Sequence, residues 1–314
     1  MKIASWALLQ TVLFVLAAPL LRGGVRWLKC LLQNRRPPPL WQPYRDLVRQ
    51  FRKQPVVADQ ASWLFRLAPY TIFAATATAA ALVPLLTIGA SGAVLGDIIV
   101  LVGLLALARV FTALAAMDVG TSFGGMGASR EITVSALSEP AMLMAIFTLT
   151  MTAASTNLAS AIDFIMSQGL ILRPSFTFAL LGLMLVAVAE AGRIPVDNPA
   201  THLELTMLHE AMVLEHSARY LALLEWAAQI RFMIFAVLIV DLFLPWGIAR
   251  DLDAASLATA AGLLALKLAA LAALLVTAET VLAKLRLFRV PEYLTLAFLL
   301  SLLGLLSHVI LEVT

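Results

Sequence analysis

Long apolar stretches separated by shorter polar ones run along almost the whole chain. A helix needs about 20 apolar residues to cross the hydrocarbon core of a bilayer, and eight stretches reach or approach that length. They lie near residues 3–28, 64–88, 94–117, 140–165, 176–192, 220–247, 256–282 and 291–312. The fifth is the shortest, and a count of seven or nine would fit the same pattern. We predict an all-α integral membrane protein with about eight transmembrane helices in one domain, residues 1–314.

The amino-acid composition of the chain excludes several classes of protein function. Only 13% of the 314 residues are charged, against roughly a quarter in soluble globular domains. Cys30 is the single cysteine, and an iron–sulfur cluster or a cysteine-held zinc ion needs several thiolates at one centre. The chain is therefore expected to carry no metal, cofactor or redox centre of its own. The first apolar stretch has no small-residue cleavage site before its basic flank, which predicts a retained helix.

The basic residues are distributed unevenly between the predicted loops. If the N-terminus lies outside the cytoplasm, only Lys2, Arg173 and Arg250 fall on the outer side. Another three of the 22 Lys and Arg residues lie inside predicted spans, which leaves sixteen on the cytoplasmic side. Membrane proteins concentrate Lys and Arg in their cytoplasmic loops. This topology therefore accounts for the excess of basic over acidic residues, a net charge of +3, without a nucleic acid partner. It predicts a cytoplasmic docking face formed by the long loops 29–62, 118–139 and 193–219.

Several charged residues fall inside the predicted spans or at their ends. These are Glu139, Glu190, Glu225, Arg231, Asp241, Lys267 and Glu279. Charge inside a membrane costs a few kcal/mol on insertion scales and usually faces a protein interior or a water-filled path. Burial penalises an ionised carboxyl and a neighbouring cation favours it, so a chain of such groups can pass protons near neutral pH. A proton relay is one interpretation, and structural ion pairs, for instance Glu225 with Arg231, are the other.

The segment between the fifth and sixth spans, residues 189–220, combines acids, prolines and histidines. Pro195 and Pro199 keep its start out of a regular helix, and Thr201 can cap the helix that follows. On an ideal helix Glu204 and Glu215, eleven residues apart, lie on nearly the same face and can converge on one cavity.

Two other patterns resemble ligand sites superficially. Three histidines, His202, His209 and His216, recur every seven residues, but the metalloprotease zinc motif needs histidines four apart, so packing or hydrogen bonding is favoured. The glycine-rich stretch 120–131 lacks the GK[ST] ending and the preceding strand of a phosphate-binding loop, and its glycines instead allow close backbone approach. In the first loop, QNRRPPPLWQPYRDLVRQFRK fits either an interfacial amphipathic helix or a solvated basic loop.

Three of these segments carry a family resemblance. They are QNRRPPPLWQPYRDLVR after the first span, GASRE before the fourth and EAGRIPVDNPATHLELTMLHEAMVLEHS after the fifth. In this order the chain resembles complex I membrane subunit 1 and its counterparts in group 4 nickel–iron hydrogenases. The string IPVDNPATHLELTM is similar to the branch found in membrane-bound hydrogenases and formate hydrogenlyase. The sequence departs from the family at NRRPPP, where Asn-Arg-Arg-Gly-Pro is common, and at EHSA, where Glu-Tyr-Ser-Gly is usual.

The resemblance implies roles for two sets of residues. The acidic path of the family is matched by Glu139, Glu190, Asp197, Glu204, Glu215 and Glu225, to which Lys267 is added as a buried charge. The residues that face the peripheral redox arm are matched by Arg36, Arg45, Asp46, Arg130 and Arg193.

The implied function is that of a membrane anchor and proton-coupling subunit of an energy-converting hydrogenase or formate hydrogenlyase-like complex in the inner (cytoplasmic) membrane. Its expected partners are an iron–sulfur small subunit and a hydrogenase-like large subunit on the cytoplasmic face, together with antiporter-like membrane subunits and the lipid bilayer. Those partners would hold the [4Fe-4S] clusters and the Ni-Fe site. The alternative is the quinone-chamber subunit of an NADH-quinone oxidoreductase-like complex. A secondary transporter predicts interrupted helices in symmetric halves, which the sequence lacks, and a purely structural anchor predicts dispensable acids.

Overall fold

The structure is a computed structural model that describes residues 2–88, 96–168, 173–197, 209–250 and 253–311. These residues form an all-helical bundle, as predicted. Its helices are α1 (Lys2–Leu32), α2 (Gln42–Phe51), α3 (Trp63–Leu82), α4 (Ile98–Asp118), α5 (Ser122–Thr152), α6 (Leu158–Gln168), α7 (Pro174–Glu190), α8 (His209–Val213), α9 (Ala218–Phe243), α10 (Ala254–Val281) and α11 (Val290–Leu311). A 3-10 turn, Leu287–Arg289, precedes α11.

Within the described ranges, six helices are long and apolar enough to cross a membrane. They are α1, α4, α5, α9, α10 and α11. The two remaining predicted spans coincide with α3, of 20 residues, and α7, of 17 residues. The multi-pass membrane character is therefore confirmed, while the count of eight spans stays a prediction.

The fourth predicted span begins and ends at the wrong residues. Instead of a loop over 118–139 and a span over 140–165, α5 is continuous from Ser122 to Thr152, with Thr121 accepting a hydrogen bond from Gly124 N at its start. Pro140 lies inside this helix, because neighbouring helices can satisfy the backbone groups that a proline leaves free in a membrane protein. Glu139 therefore lies in mid-helix rather than at the beginning of a span.

The first loop contains the predicted amphipathic helix. In α2, Pro43 and Leu47 are buried while Arg45 and Arg49 are exposed. The hydroxyl of Tyr44 donates to the carbonyl of Leu16 and so ties α2 to α1. The structure thus favours the helix over a solvated loop.

Close helix packing holds α7 against α11 and, with α5, builds one side of the bundle. Gly182 permits it, because a Cβ there would overlap Ser301 Oγ and lie 3.1 Å from the carbonyl oxygen of Ala297. From the other side, a Cβ on Gly304 would lie 3.0 Å from the carbonyl oxygen of Ser175. Small residues at a contact let two backbones approach, as is usual between membrane helices.

Candidate functional site: a buried charge cluster

Arg109, on the otherwise apolar α4, is the centre of a buried ionic cluster. Its side chain is 5% exposed. Nη1 lies 2.7 Å from Glu139 Oε1 on α5, and Nη2 donates to Glu190 Oε2 at the end of α7. The other oxygen of Glu190 accepts a hydrogen bond of 2.6 Å from Ser138 Oγ. One guanidinium therefore joins three helices deep in the bundle, where an unpaired charge is costly.

A second layer extends this cluster through Glu131 and His209. Glu131 Oε1 lies 3.5 Å from Arg109 Nε, and Glu131 Oε2 lies 3.3 Å from His209 Nδ1. His209 Nε2 is 2.5 Å from Arg231 Nη2 on α9. Because an arginine only donates hydrogen bonds, Nε2 is the acceptor in this contact, and Nδ1 is the ring nitrogen that faces Glu131. Arg231 also interacts electrostatically with Glu190.

Helix periodicity accounts for the way one helix presents three of these groups. Glu131 and Ser138, seven residues apart, lie on the same face of α5, and Glu139 is one position further round. Glu131 and Glu190 are almost inaccessible, whereas the side chain of Glu139 is 33% exposed. Glu139 is thus the most exposed of the three acids of the cluster.

We call this set the Arg109 cluster; it consists of Arg109, Glu131, Ser138, Glu139, Glu190, His209 and Arg231. Its three carboxylates face two guanidiniums, which are always charged. One carboxylate therefore has no matching fixed cation, and a buried charge in that position must be neutralised by a proton, a hydrogen bond or another partner.

Two smaller ion-pair groups lie beside the cluster. Glu279 on α10 is 2.6 Å from Lys29 Nζ and 3.2 Å from Arg193 Nη1. The guanidinium of Arg193 also lies over the Phe232 ring, 5.1 Å from its centroid. Asp197 is buried and its Oδ1 is 3.0 Å from Lys284 Nζ. The sequence analysis singled out Glu279 but did not name Lys29 as its partner, and it placed Arg193 at the docking face rather than beside Glu279.

A third charged pair lies at the opposite end of α9. Asp241 is buried, and neither of its carboxyl oxygens has a hydrogen-bond partner among the described residues. Lys267 on α10 interacts with it electrostatically, but the ammonium donates to the carbonyls of Leu244 and Trp246. Lys267 is thereby placed at the carbonyl end of α9, where a positive charge is favourable.

The residues predicted for the acidic path do not all come together. Glu139 and Glu190 share the Arg109 cluster. Glu225 is half-buried on α9, and its electrostatic neighbour is Arg22; in the described structure Arg231 contacts His209 instead, so the suggested Glu225–Arg231 pair is not formed. Glu215 is exposed in the turn after α8.

The assumed continuous helix from Glu204 to Glu215 is wrong at its second end, because α8 ends at Val213. Glu204 itself lies outside the described residues, as do His202, Pro199 and Thr201. Pro195 lies in non-helical backbone, as predicted.

The predicted docking residues fall into two groups. Arg36 and Arg45 are exposed, and Asp46 is half-exposed, contacting Arg49 and Gln42 on its own helix. Arg130 is half-buried near the start of α5. Arg193 differs from these, since it reaches inward to Glu279.

The two described histidines of the seven-residue repeat make protein contacts. His209 belongs to the Arg109 cluster. His216 is buried, with its ring centroid 4.0 Å from that of Phe65, and burial lowers the pKa of His216 to about 4. Among the described residues no group of three or more His, Cys, Asp or Glu side chains is arranged to hold a metal ion.

Sequence reasoning missed the members that organise the cluster. Arg109, Glu131 and His209 were not assigned to the path, and Arg231 was assigned to another partner. The available signal was a single arginine within an apolar span, which almost always faces a protein interior. Its partners could not be named, since they lie on other helices 22 to 81 residues away.

Comparison with known proteins assigns the chain to a family. The NADH dehydrogenase family model matches residues 4–309. Hydrogenase-4 component C of Escherichia coli (strain K12) is 34% identical over 299 residues, covering 95% of this chain and 94% of that protein. Formate hydrogenlyase subunit 4 of the same organism is 31% identical over 287 residues, covering 91% and 92%.

The fold also matches a solved structure. A chain of the membrane-bound sulfane sulfur reductase, an archaeal respiratory membrane complex, superposes with a TM-score of 0.83 at 17% identity, covering 98% of this chain and 99% of that one. At this identity the match concerns the fold alone. The family model, which matches nearly the whole chain, and the two relatives above 30% identity show that this chain belongs to the NADH dehydrogenase family of membrane subunits related to complex I subunit 1.

Proposed function

We propose that this chain is the membrane subunit of an energy-converting hydrogenase or formate hydrogenlyase-like complex, in which it couples cytoplasmic electron transfer to ion translocation. Its curated relatives are membrane components of such complexes. The structural observation that carries the coupling role is the Arg109 cluster. It places three carboxylates around two guanidiniums inside the bundle.

The charge imbalance of the cluster is what suits it to proton handling. Three carboxylates, two of them buried, and two guanidiniums leave one negative charge unmatched, and the smallest group that can neutralise it is a proton. Glu139 is partly exposed, while Glu190 is buried and contacts Arg109 and Ser138. Arg109 keeps its own proton, so a proton accepted at Glu139 acts on the cluster by weakening the pull of Glu139 on the guanidinium, which then pairs more strongly with Glu190 and Glu131.

The remaining proposed members extend this relay in both directions. On the predicted cytoplasmic side, we place Asp197, Glu215 and Glu225 between the docking face and the cluster. Glu204, which lies outside the described residues, is assigned to the same side from its position in the sequence. On the other side, Lys267 pairs electrostatically with Asp241. A change of charge at the redox arm would shift the proton affinity of the cluster and drive protons along this series.

The partners we propose follow from the exposed basic face. An iron–sulfur small subunit and a hydrogenase-like large subunit dock at Arg36, Arg45, Asp46 and Arg130, and they hold the [4Fe-4S] and Ni-Fe centres. Antiporter-like subunits contact the bundle within the inner membrane. Arg193 belongs to the relay side of this interface, because it contacts Glu279 in the interior.

The test is a complex carrying Glu190→Gln, compared with the matched exposed variant Glu292→Gln. Glutamine keeps the hydrogen bond from Ser138 but cannot carry the proton. We expect assembly and electron transfer to persist in both complexes and proton pumping into inverted vesicles to be lost only in Glu190→Gln. Full pumping stoichiometry per hydrogen turned over in Glu190→Gln would contradict the relay.

A second candidate function, quinone binding, is favoured by one apolar cavity of about 230 Å³. Leu21, Val188, Phe232, Phe235 and Tyr293 line it, between α1, α7, α9 and α11. Arg193 lies over Phe232 and supplies a polar group beside the cavity. Solvent extraction of the purified complex distinguishes the two functions: stoichiometric quinone without nickel supports the quinone reductase, and nickel without quinone supports the hydrogenase.

A further inference from the structure

A large groove opens at the end of the bundle that we predict to lie outside the cytoplasm. It has a volume of about 810 Å³, within the range of about 300–1,000 Å³ typical of ligand sites. Its walls come from α6, α7, α9, α10 and the turn after α9. Most of the lining is aliphatic, including Leu180, Met184, Ile239, Leu271 and Leu274.

Two cations line this otherwise apolar groove, and no acidic side chain does so among the described residues. Arg173 caps the start of α7, and Lys267 lies beside the end of α9. Both residues therefore lie at the end of the bundle where α7 begins and α9 ends. A long apolar surface with positive charge at one end matches a molecule that has an apolar chain and an anionic head.

The geometry of Lys267 leaves it able to bind an anion. Of the three ammonium hydrogens, two are directed to the carbonyls of Leu244 and Trp246, which leaves one donor. Asp241, the acid that acts on Lys267 electrostatically, is buried and does not line the groove. The Trp246 ring, 5.8 Å from the ammonium, is 55% exposed, as is typical of tryptophans at the membrane–water interface.

We propose that this groove binds one anionic phospholipid, with its phosphate between Arg173 and Lys267 and an acyl chain along Leu180, Leu271 and Leu274. A charge-assisted hydrogen bond from each cation to the phosphate favours the anionic lipid over a neutral one. A quinone has the apolar tail but no negative charge, so its carbonyl oxygens can accept hydrogen bonds from the two cations but lack the ionic attraction that a phosphate has for them. The site shares Lys267 with the proposed proton relay, but lipid labelling tests it without reference to proton pumping.

The experiment uses the purified whole complex in phosphatidylcholine vesicles that contain a trace of photoactivatable phosphatidylglycerol. Cross-links are mapped by mass spectrometry. In the wild type we expect labelling at the start of α7 and in the turn after α9, displaced by unlabelled phosphatidylglycerol. Lys267→Gln and Arg173→Gln should each reduce labelling about tenfold, the loss expected for one hydrogen bond to a charged group. Lys267→Arg should retain it.

The matched control is Arg250→Gln, which removes one positive charge from the same end of the bundle. Arg250 forms an exposed pair with Asp163 and does not line the groove, so labelling should not change. Equal labelling by photoactivatable phosphatidylcholine, unchanged labelling in both Lys267→Gln and Arg173→Gln, or displacement by a quinone but not by phosphatidylglycerol would each overturn the proposal. If Lys267→Gln fails to assemble, Arg173→Gln and the comparison of the two lipids decide alone.

Discussion

Arg109 shows how a single residue can organise a membrane subunit. A guanidinium offers five donors in a planar fork, and here two of its nitrogens bind carboxylates from different helices, while a third faces Glu131. A lysine in its place would offer a compact point charge and could not reproduce this planar geometry. Arg109 thus holds three helices together and also supplies the positive charge opposite the carboxylates of the proposed relay.

Removing Arg109 should destabilise the protein strongly. Arg109→Gln leaves Glu131, Glu139 and Glu190 facing one guanidinium, and breaking a buried ion pair by removing one partner costs about 3–5 kcal/mol. We expect a large fall in the melting temperature of the purified protein. In the exposed pair of Arg49 with Asp46, Arg49→Gln should cost less than about 1 kcal/mol.

A double variant separates charge imbalance from loss of packing. Adding Glu190→Gln to Arg109→Gln removes one of the unmatched carboxylates, so part of the lost stability should return. If the two single effects simply add, the residues do not act as a buried pair. Thermal melts of the two single variants and the double variant decide this.

His216 should make stability depend on pH in the mildly acidic range. In the unfolded chain the imidazole takes up a proton near pH 6.5, whereas burial keeps the folded pKa at about 4. Between these values the unfolded state binds more protons, so stability falls as the pH falls, by up to about 3 kcal/mol. Above pH 6.5 the ring is neutral in both states and contributes no pH dependence.

The variant that tests this is His216→Phe, which keeps the aromatic contact with Phe65. Melting temperatures should fall less between pH 7.5 and pH 5.0 in the variant than in the wild type. Other groups titrate equally in both proteins, so the difference isolates His216. Parallel pH profiles would show that His216 is protonated or solvated in the folded protein.

At the scale of single residues, the sequence indicated which charges are buried but not how they pair. Glu139 and Glu190 were found because charge within an apolar run is unusual. Their shared partner, Arg109, lies 30 residues from one and 81 from the other. No local pattern encodes such a contact, since it depends on how α4, α5 and α7 are arranged.

At the scale of helices, the α7–α11 contact depends on glycine. A Cβ on Gly182 would overlap Ser301 Oγ, so Gly182→Ala must push the helices apart or shift the serine. We expect destabilisation by about 1–3 kcal/mol, the usual cost of overpacking. On α4, Gly103 has nothing within 4 Å of its Cβ position, and Gly103→Ala should be neutral or stabilising by up to about 1 kcal/mol. Equal melting temperatures for the two variants would contradict the close packing.

The predicted ends of helices agree with the structure where hydropathy changes sharply along the chain. They are wrong where hydropathy changes gradually. The start of α10 after Asp253 agrees with the apolar pattern to within two residues. In α5 the first turns contain Gly124, Gly125 and Gly127, which lower the hydropathy and indicate a loop. The helix forms there because its other face packs on α4, α7 and α8, an interaction between distant segments that a local window cannot register.

At the scale of the whole molecule, the fold class followed from composition and periodicity alone. Both are summed over hundreds of residues, so an error at one boundary hardly changes them. The side of the membrane on which each end of the bundle lies, its sidedness, is a different property. It depends on the membrane and not on the internal contacts of the bundle. The distribution of basic residues is the argument for it.

Sidedness can be measured with single cysteines in a Cys30→Ser background, in which no native thiol reacts. Ala255, near the start of α10, and Phe288, in the turn before α11, are both exposed, the latter to 89%. Since α10 separates them, they should lie on opposite sides of the membrane. We expect a membrane-impermeant maleimide to label Ala255→Cys in intact spheroplasts and Phe288→Cys only after permeabilisation. The reverse order would place the exposed arginines of α2 outside the cytoplasm, and a cytoplasmic redox arm could then not dock on them.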